Sequence, residues 1–215
     1  MVEMDRVAAP TTIYFIRHGQ IAANIDRRWH GSTDSALNSL GEKQASCLGA
    51  YLKKQHHGIS AIYTSPLQRT YRTAELVGQQ LNVEPIPVDG LVEFGIGELE
   101  NTPFDELQNK IGFFREIEAD IHYAPSGGES VYQVMLRMVD AIESLTSHHR
   151  GDQIAVVSHG AAIGIALAQM LDGSPYPFYQ YHMDNTGLSR FLFTDTLELI
   201  DFNRVDHLNE ENGHG

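Results

Sequence analysis

Twice in this sequence a short apolar run breaks off at a histidine followed by glycine. Ile13-Tyr14-Phe15-Ile16 leads into Arg17-His18-Gly19, and Ile154-Ala155-Val156-Val157-Ser158 leads into His159-Gly160. Unbroken β-branched and aromatic runs of this length read as strands buried on both faces, the kind found inside a parallel sheet. Ligands of open α/β sheets bind at the carboxyl ends of the strands, where a glycine lets a backbone N–H approach an anion that a Cβ would hold away. Arg17 adds a planar guanidinium suited to phosphate or carboxylate. A lone histidine in such a place is more often a polar cap on a strand. Two matched junctions turn the reading towards one anion site with a nucleophile or base inside it.

Between and after these junctions, strand-like and helix-like stretches alternate. Ser39-Leu40-Gly41-Glu42 has the form of a capping box and opens a helix to about His56. Residues 61–64 form a second strand, and Ser65-Pro66 supplies an N-cap and a first helical position. Arg69 then falls in the first turn, where its guanidinium and the free backbone N–H groups can point at one anion. A short strand at 84–88 precedes a loop at 89–101. A helix over 102–121 carries Phe104, Leu107, Ile111 and Phe114 on one face, and a longer one from 129 to about 149 has Val134, Met138, Ala141 and Leu145 as its stripe. Residues 161–171 are apolar on nearly every side, and strands at 187–193 and 197–203 close the chain. His56-His57 and His148-His149 read as solvated helix ends, which suit the dipole. The polar loop 20–38, with Arg27, Arg28, Trp29 and His30, is long enough to expect a function. The expected fold is α/β: one domain over 1–215, a doubly wound, mainly parallel central sheet flanked by helices, with tails at 1–10 and 208–215. Right-handed crossovers would bring the two His-Gly pairs together across a cleft.

The formal charge of −13 argues against nucleic acid and anionic membrane surfaces as partners. It also repels anionic substrates, so Arg17, Arg69 and Arg28 must make a local positive well. The single cysteine, Cys47, sits in a predicted helix as a small buried side chain and excludes an internal disulfide. MVEMDRVAAP lacks the apolar centre of a signal peptide and no run is long enough to span a bilayer, so a soluble cytoplasmic protein is expected. Eleven histidines raise the question of a metal, but HExxH, HxH with a carboxylate partner and CxxC spacings are all missing. No metal and no cofactor are expected.

At this level of detail the sequence resembles the histidine phosphatases, the phosphoglycerate-mutase-like superfamily. The match runs through Arg17-His18-Gly19-Gln20, Asn24, Arg28, Gly31, Ser65-Pro66-Leu67-Gln68-Arg69-Thr70, Leu91-Val92-Glu93, Ser126-Gly127-Gly128-Glu129-Ser130 and Ser158-His159-Gly160, in the family's order. Ile21 departs from the pattern where threonine is usual, and Leu99 and Asn101 where Trp and Gly are common. The resemblance implies a phosphomonoester hydrolase of the phosphatase branch. His18 would form a phosphohistidine, with Arg17, Arg69 and a protonated His159 holding the phosphoryl oxygens, and Asn24 and Gly160 completing the substrate contacts. Among Glu93, Glu98 and Glu100 the residues alone do not choose a proton donor, and the resemblance selects Glu93. Phosphoryl transfer needs this division of labour, because charge spreads over three equatorial oxygens while the attacking and leaving atoms stay in line.

The implied partner is a small phosphorylated metabolite, and homodimer formation is left open. Mutase-type transfer is the competing reading, followed by a non-catalytic phosphate-binding scaffold. The region expected to cover the leaving group, residues 94–123, offers Phe104, Phe113, Phe114 and Tyr123, with Lys110 and Arg115 as its only cations. Apolar monoesters are therefore expected as substrates, ahead of phosphoglycerates and bisphosphates.

Overall fold

In the computed structural model the buried runs become one six-stranded sheet with helices on both faces, described for residues 9–55 and 58–209. Most of the two expected tails, and His56-His57, lie outside the described residues. The described start of the second tail is a turn of 3₁₀-helix, Asp206–Leu208. In chain order the elements are β1 (Thr11–Arg17), α1 (Ala22–Ile25), α2 (Ser39–Gln55), β2 (Ile59–Thr64), α3 (Gln68–Leu81), β3 (Pro85–Pro87), α4 (Phe104–Glu106), α5 (Phe113–Ala119), α6 (Val131–His148), β4 (Gln153–Ser158), α7 (Gly160–Asp172), β5 (Leu188–Phe193) and β6 (Leu197–Arg204). The strand order is β3-β2-β4-β1-β5-β6. The first four strands in that order are parallel, and β5 and β6 add antiparallel at one edge.

Period-two alternation explains why the strand runs are apolar throughout. Ile13, Phe15, Ile154 and Val156 face a core built with α5, α6 and α7, whereas Tyr14, Ile16, Ala155 and Val157 face a second core with Leu48 and Leu52 of α2 and Ala74 and Val77 of α3. Helix α7 is buried at every position from Ala162 to Ala168. The segment 174–185 lies over its outer side, and at Gly164 a Cβ would come within 2.7 Å of the Phe178 carbonyl oxygen.

Several helix boundaries differ from the sequence reading, each for a local reason. Asn38 caps α2 in place of Ser39, its Oδ1 accepting from Gly41 N at 2.8 Å. Helix α3 begins at Gln68, two residues later than a Ser65 cap would allow, and Asp34 reaches across from the 20–38 loop to accept Gln68 N at 2.8 Å. The single helix expected over 102–121 is interrupted by a π-turn at Leu107–Ile111 and by Gly112 at φ +73°. This break rotates the buried face onto Leu107, Phe113 and Ile117 and leaves Ile111 40% exposed. Helix α6 starts at Val131 behind a Ser130–Gln133 capping box and buries Ile142 along with Val134 and Met138. His149 is not a solvated end: its Nε2 meets the Tyr63 hydroxyl at 2.7 Å and its Nδ1 meets Asp152 Oδ2 at 3.1 Å.

The start of α2 abuts the first His-Gly junction backbone to backbone. A Cβ on Gly19 would lie 2.5 Å from the Gly41 carbonyl oxygen, and one on Gly41 would lie 2.2 Å from that of Gln20. Overpacking of this kind typically costs about 1–3 kcal/mol. Gly41→Ala is accordingly expected to lower the urea midpoint at unchanged slope, and wild-type stability would show that the junction can yield.

Candidate active site

Strands β1 and β4 run side by side in parallel, with Arg17 in register with Ser158, so the residues that follow them emerge together. The His18 and His159 rings stand edge to face with centroids 5.3 Å apart. His18 is 4% exposed and its backbone N donates to Ser158 O at 3.1 Å. Its carbonyl accepts from Thr186 N and from Asn185 Nδ2, which fixes the junction from the β5 side. Nδ1 lies 2.7 Å from the Gly19 carbonyl oxygen, an acceptor only, so Nδ1 carries the hydrogen and Nε2 keeps its lone pair. Burial, reinforced by the Arg69 and Arg17 cations, holds this imidazole well below the usual histidine range and hence neutral near pH 7.

Arg17 donates through Nη1 to the Met183 carbonyl, while its Nε is buried without a hydrogen-bond partner. Gly160 lies against that atom, since a Cβ there would come within 3.3 Å of Arg17 Nε. A cationic donor left unsatisfied in the interior is costly, so the site is built for an anion that the chain itself does not supply. Asn24 Oδ1 accepts from Ile21 N and from Asn185 Nδ2, which turns its own amide nitrogen into the donor left for a ligand.

Arg69 differs from its expected role. It is fully buried, and four of its five N–H donors are occupied: Nε by His159 Nδ1 at 3.1 Å, the others by the carbonyls of Thr33, His30 and Gly31. The guanidinium thus anchors the 30–33 loop beside the site. Because His159 Nδ1 accepts from Arg69, His159 here is the neutral tautomer with its Nε2 hydrogen on Ser65 Oγ at 2.9 Å. Burial and then the Arg69 cation hold it well below its ordinary value.

Of the three glutamates, only Glu93 lines the cleft with His18. Its Oε1 accepts from Phe94 N and Ala162 N, both at 2.8 Å, and its Oε2 from Ala161 N at 3.2 Å. The first turn of α7 therefore holds this carboxylate, with Oε2 making the one longer contact. Glu100 is turned away and ties Gly31, Ser32, Thr33 and Ile96 together by their backbone N–H groups. Arg137 of α6 positions the Glu93 loop with all five of its donors, to the carbonyls of Gly90, Val92 and Glu93 and to both oxygens of Glu129 at 2.7 and 2.8 Å. Sequence reading missed Arg137, which looks like one more charge on an amphipathic helix.

The cleft has a volume of about 870 Å³, several times that of a phosphate group. Phe104, Phe114 and Trp29 line one side. Phe113 belongs to the core, and Lys110 and Arg115 are solvent-exposed beside Glu106 and Glu116. The other side comes from 174–185, with Tyr176, Phe178, Tyr179, His182 and Asp184, none of which the sequence reading assigned. The available signal was a long α7–β5 connection carrying four aromatic residues. Arg27 and Arg28 also reach the cleft, Arg28 donating to the Asn101 carbonyl at 2.6 Å. Ile21 sits at its floor, 2% exposed, and Asn101 adopts φ +60°, which explains why glycine is common at that position.

A buried histidine pair with an arginine beside it, at the carboxyl edge of a mainly parallel sheet, defines an α/β protein with one preformed polar site. The chain belongs to the histidine phosphatase superfamily (branch 1), whose sequence profile it matches over residues 13–203. A protein named probable phosphoglycerate mutase GpmB from Serratia proteamaculans is 32% identical over 180 residues, 83% of either chain. A bifunctional protein of Mycobacterium tuberculosis is 32% identical over 181 residues, 84% of this chain and 50% of its own length, so the chain spans about half of that relative. Phosphoserine phosphatase from Entamoeba histolytica, crystallised with 3-phosphoglyceric acid, superposes with a TM-score of 0.82 at 27% identity over 92% of this chain and 99% of that one. YhfR of Bacillus stearothermophilus does so with a TM-score of 0.81, also at 27% identity, over the same shares. The names of these relatives include a probable mutase and a phosphatase.

The Glu100 knot carries a pH prediction. Burial works to raise this carboxyl, but hydrogen bonds from Thr33 Oγ1 and from the backbone N–H groups of Ile96, Thr33 and Ser32 hold it below its ordinary 4.5. A depressed carboxyl stabilises the fold above its unfolded value and loses that contribution as pH falls through the folded one. Glu100→Gln should be less stable at pH 7 and show a shallower loss of stability as pH drops from about 5 towards 3. Parallel wild-type and variant curves across that window would refute the assignment.

Proposed function

We propose that this protein is a phosphomonoester hydrolase acting through a phosphohistidine on His18, with Glu93 as proton donor. The observation that carries the reading is the bare Nε2 of a neutral, buried His18 beside an Arg17 Nε that lacks a partner. A phosphate group seated there receives Arg17 Nε and Asn24 Nδ2 on its oxygens, with Arg69 holding the 30–33 loop and His159 behind them. His18 Nε2 attacks phosphorus as the bond to the ester oxygen breaks, and the Glu93 proton goes to that departing oxygen. Water then attacks the phosphohistidine, gives its proton back to Glu93, and phosphate leaves with His18 neutral again. His159, already hydrogen-bonded to Arg69 and Ser65, braces the pocket and gains a proton only if the phosphate dianion supplies the compensating charge.

Hydrolysis is favoured over mutase transfer by the cleft itself. A mutase must keep water from its phosphoenzyme. Here the cover is two short helical segments and a loop around a space of about 870 Å³, with room for water beside a phosphate. The aromatic lining supports small, apolar phosphorylated metabolites as substrates, and Arg27 and Arg28 at the rim are the observation that favours a second, anionic class. No helix among the described residues is long and apolar enough to cross a membrane. With a charge of −13, a cytoplasmic site of action is part of the proposal.

Rapid quenching into alkali during turnover should trap an acid-labile phosphate on His18. His18→Ala should abolish both the label and the activity, and near-wild-type turnover in that variant would end the mechanism. Glu93→Gln should slow alkyl phosphates about 10²–10⁴-fold, the usual contribution of general acid catalysis, and aryl phosphates far less because a phenolate leaves unaided. Equal losses on both substrate types would remove Glu93 from the proton-donor role.

A further inference from the structure

Two groups of aromatic side chains line the cleft that also holds His18, and each is internally braced. On one side Trp29 contacts Phe104 and Phe114 at ring-centroid distances of 5.5 and 6.1 Å, and Phe104 and Phe114 lie parallel within 7° of each other. On the other side Tyr176 contacts Phe178 at 5.9 Å and Tyr179 at 5.8 Å, both edge to face. All six residues line the same cleft as His18 and Glu93. Phe104 is 37% exposed and Tyr179 62%, whereas Trp29 and Phe178, at 6% and 7%, are buried behind them. The indole N–H of Trp29 is used inward, on the Phe94 carbonyl at 3.0 Å, so what Trp29 offers the cleft is ring surface.

Charge limits what else can enter. Glu118 is four residues beyond Phe114 on α5 and faces the Tyr176 hydroxyl, so it spans from one wall to the other. Burial and then that carboxylate push the Tyr176 phenol up to about 12. A carboxylate in the cleft lining repels a second phosphate or carboxylate, and of the two arginines at the rim Arg27 is turned to Asp105 at 3.4 Å and Arg28 to the Asn101 carbonyl at 2.6 Å. Neutral apolar alcohols of any shape would bury surface here, because the hydrophobic effect is non-directional. Facing rings add a preference that aliphatic groups do not share, since aromatic pairs gain from offset or edge-to-face geometry beyond their buried area.

We propose that the cleft is an aromatic slot that selects phosphomonoesters whose alcohol carries a planar aromatic ring. The proposal rests on the phosphatase reading above and narrows its substrate class. The ring enters between the Trp29–Phe104–Phe114 wall and the Tyr176–Phe178–Tyr179 wall, while the ester oxygen stays beside Glu93. Shape and π-character decide specificity, and lipophilicity alone does not.

The test compares 2-phenylethyl phosphate with 2-cyclohexylethyl phosphate, which share a primary alkoxide leaving group and carbon count and differ in ring planarity. The aromatic ester should show a kcat/KM about tenfold higher, carried by KM, as expected for one or two added ring–ring contacts. Phe104→Leu and Tyr179→Leu should each narrow that ratio. A wild-type ratio near one, or 3-phosphoglycerate turning over faster than both esters, overturns the slot. Binding is read separately through Trp29, the only tryptophan in the chain, by titrating its fluorescence with the matching phenyl and cyclohexyl alkylphosphonates. Tighter binding of the phenyl compound without any turnover would uphold the slot and sink the hydrolase. Equal binding of the two phosphonates overturns the slot whatever the turnover.

Discussion

Everything at the site depends on the parallel pairing of β1 with β4. These strands are far apart in sequence, and β4 enters the sheet between β1 and β2 after the chain has already built both. That insertion sets Arg17 opposite Ser158 and so stands His18 beside His159. It also buries both histidines at the edge of two cores, which is the main reason their ring nitrogens hold protons weakly. A slip of one residue in this register would send the alternating side chains into the opposite cores and separate the two rings.

Around this pairing, most charged groups hold backbone and leave few hands for a ligand. Arg69 and Arg137 spend their fork on loop carbonyls, Glu100 on loop N–H groups, and Asp34 and Glu93 on the first turns of α3 and α7. Two helix N-termini that could have received phosphate are thus filled by carboxylates from the chain. Among the described residues two buried arginine nitrogens stay without a partner, Nε of Arg17 and Nε of Arg190, and of these only Arg17 lines the cleft with His18. Preorganisation of this kind means that little has to move when charge develops on a phosphoryl group.

The outer cleft follows a different physical logic from the part around His18. That inner part is defined by hydrogen-bond geometry on a rigid sheet edge. The outer cleft is defined by ring surfaces on α4, α5 and the 174–185 segment, which rest on α7 and on the loop after β1. Members of one family can therefore keep the first and vary the second, in line with neighbours here whose names include a phosphoserine phosphatase and a probable mutase.

The two strand–His–Gly junctions, the mainly parallel sheet and the meeting of Arg17, His18 and His159 at one sheet edge were legible in the residues, because strand periodicity and short motifs are local. The choice among Glu93, Glu98 and Glu100 was not, since the residues look alike and only the loop tether of Arg137 and the N-terminus of α7 single one out. The helix break at Gly112 and the cap on α3 by Asp34 also escaped, the first because one glycine is tolerated in a helical pattern, the second because the cap arrives from another loop. The occupied fork of Arg69 and the aromatic wall at 174–185 belong to the same group. Sequence by itself determined which side chains could handle a phosphate, because identity and local spacing carry that chemistry. Tertiary structure alone decided which of them are free to do so, because whether a donor is spent or spare depends on partners brought from distant parts of the chain.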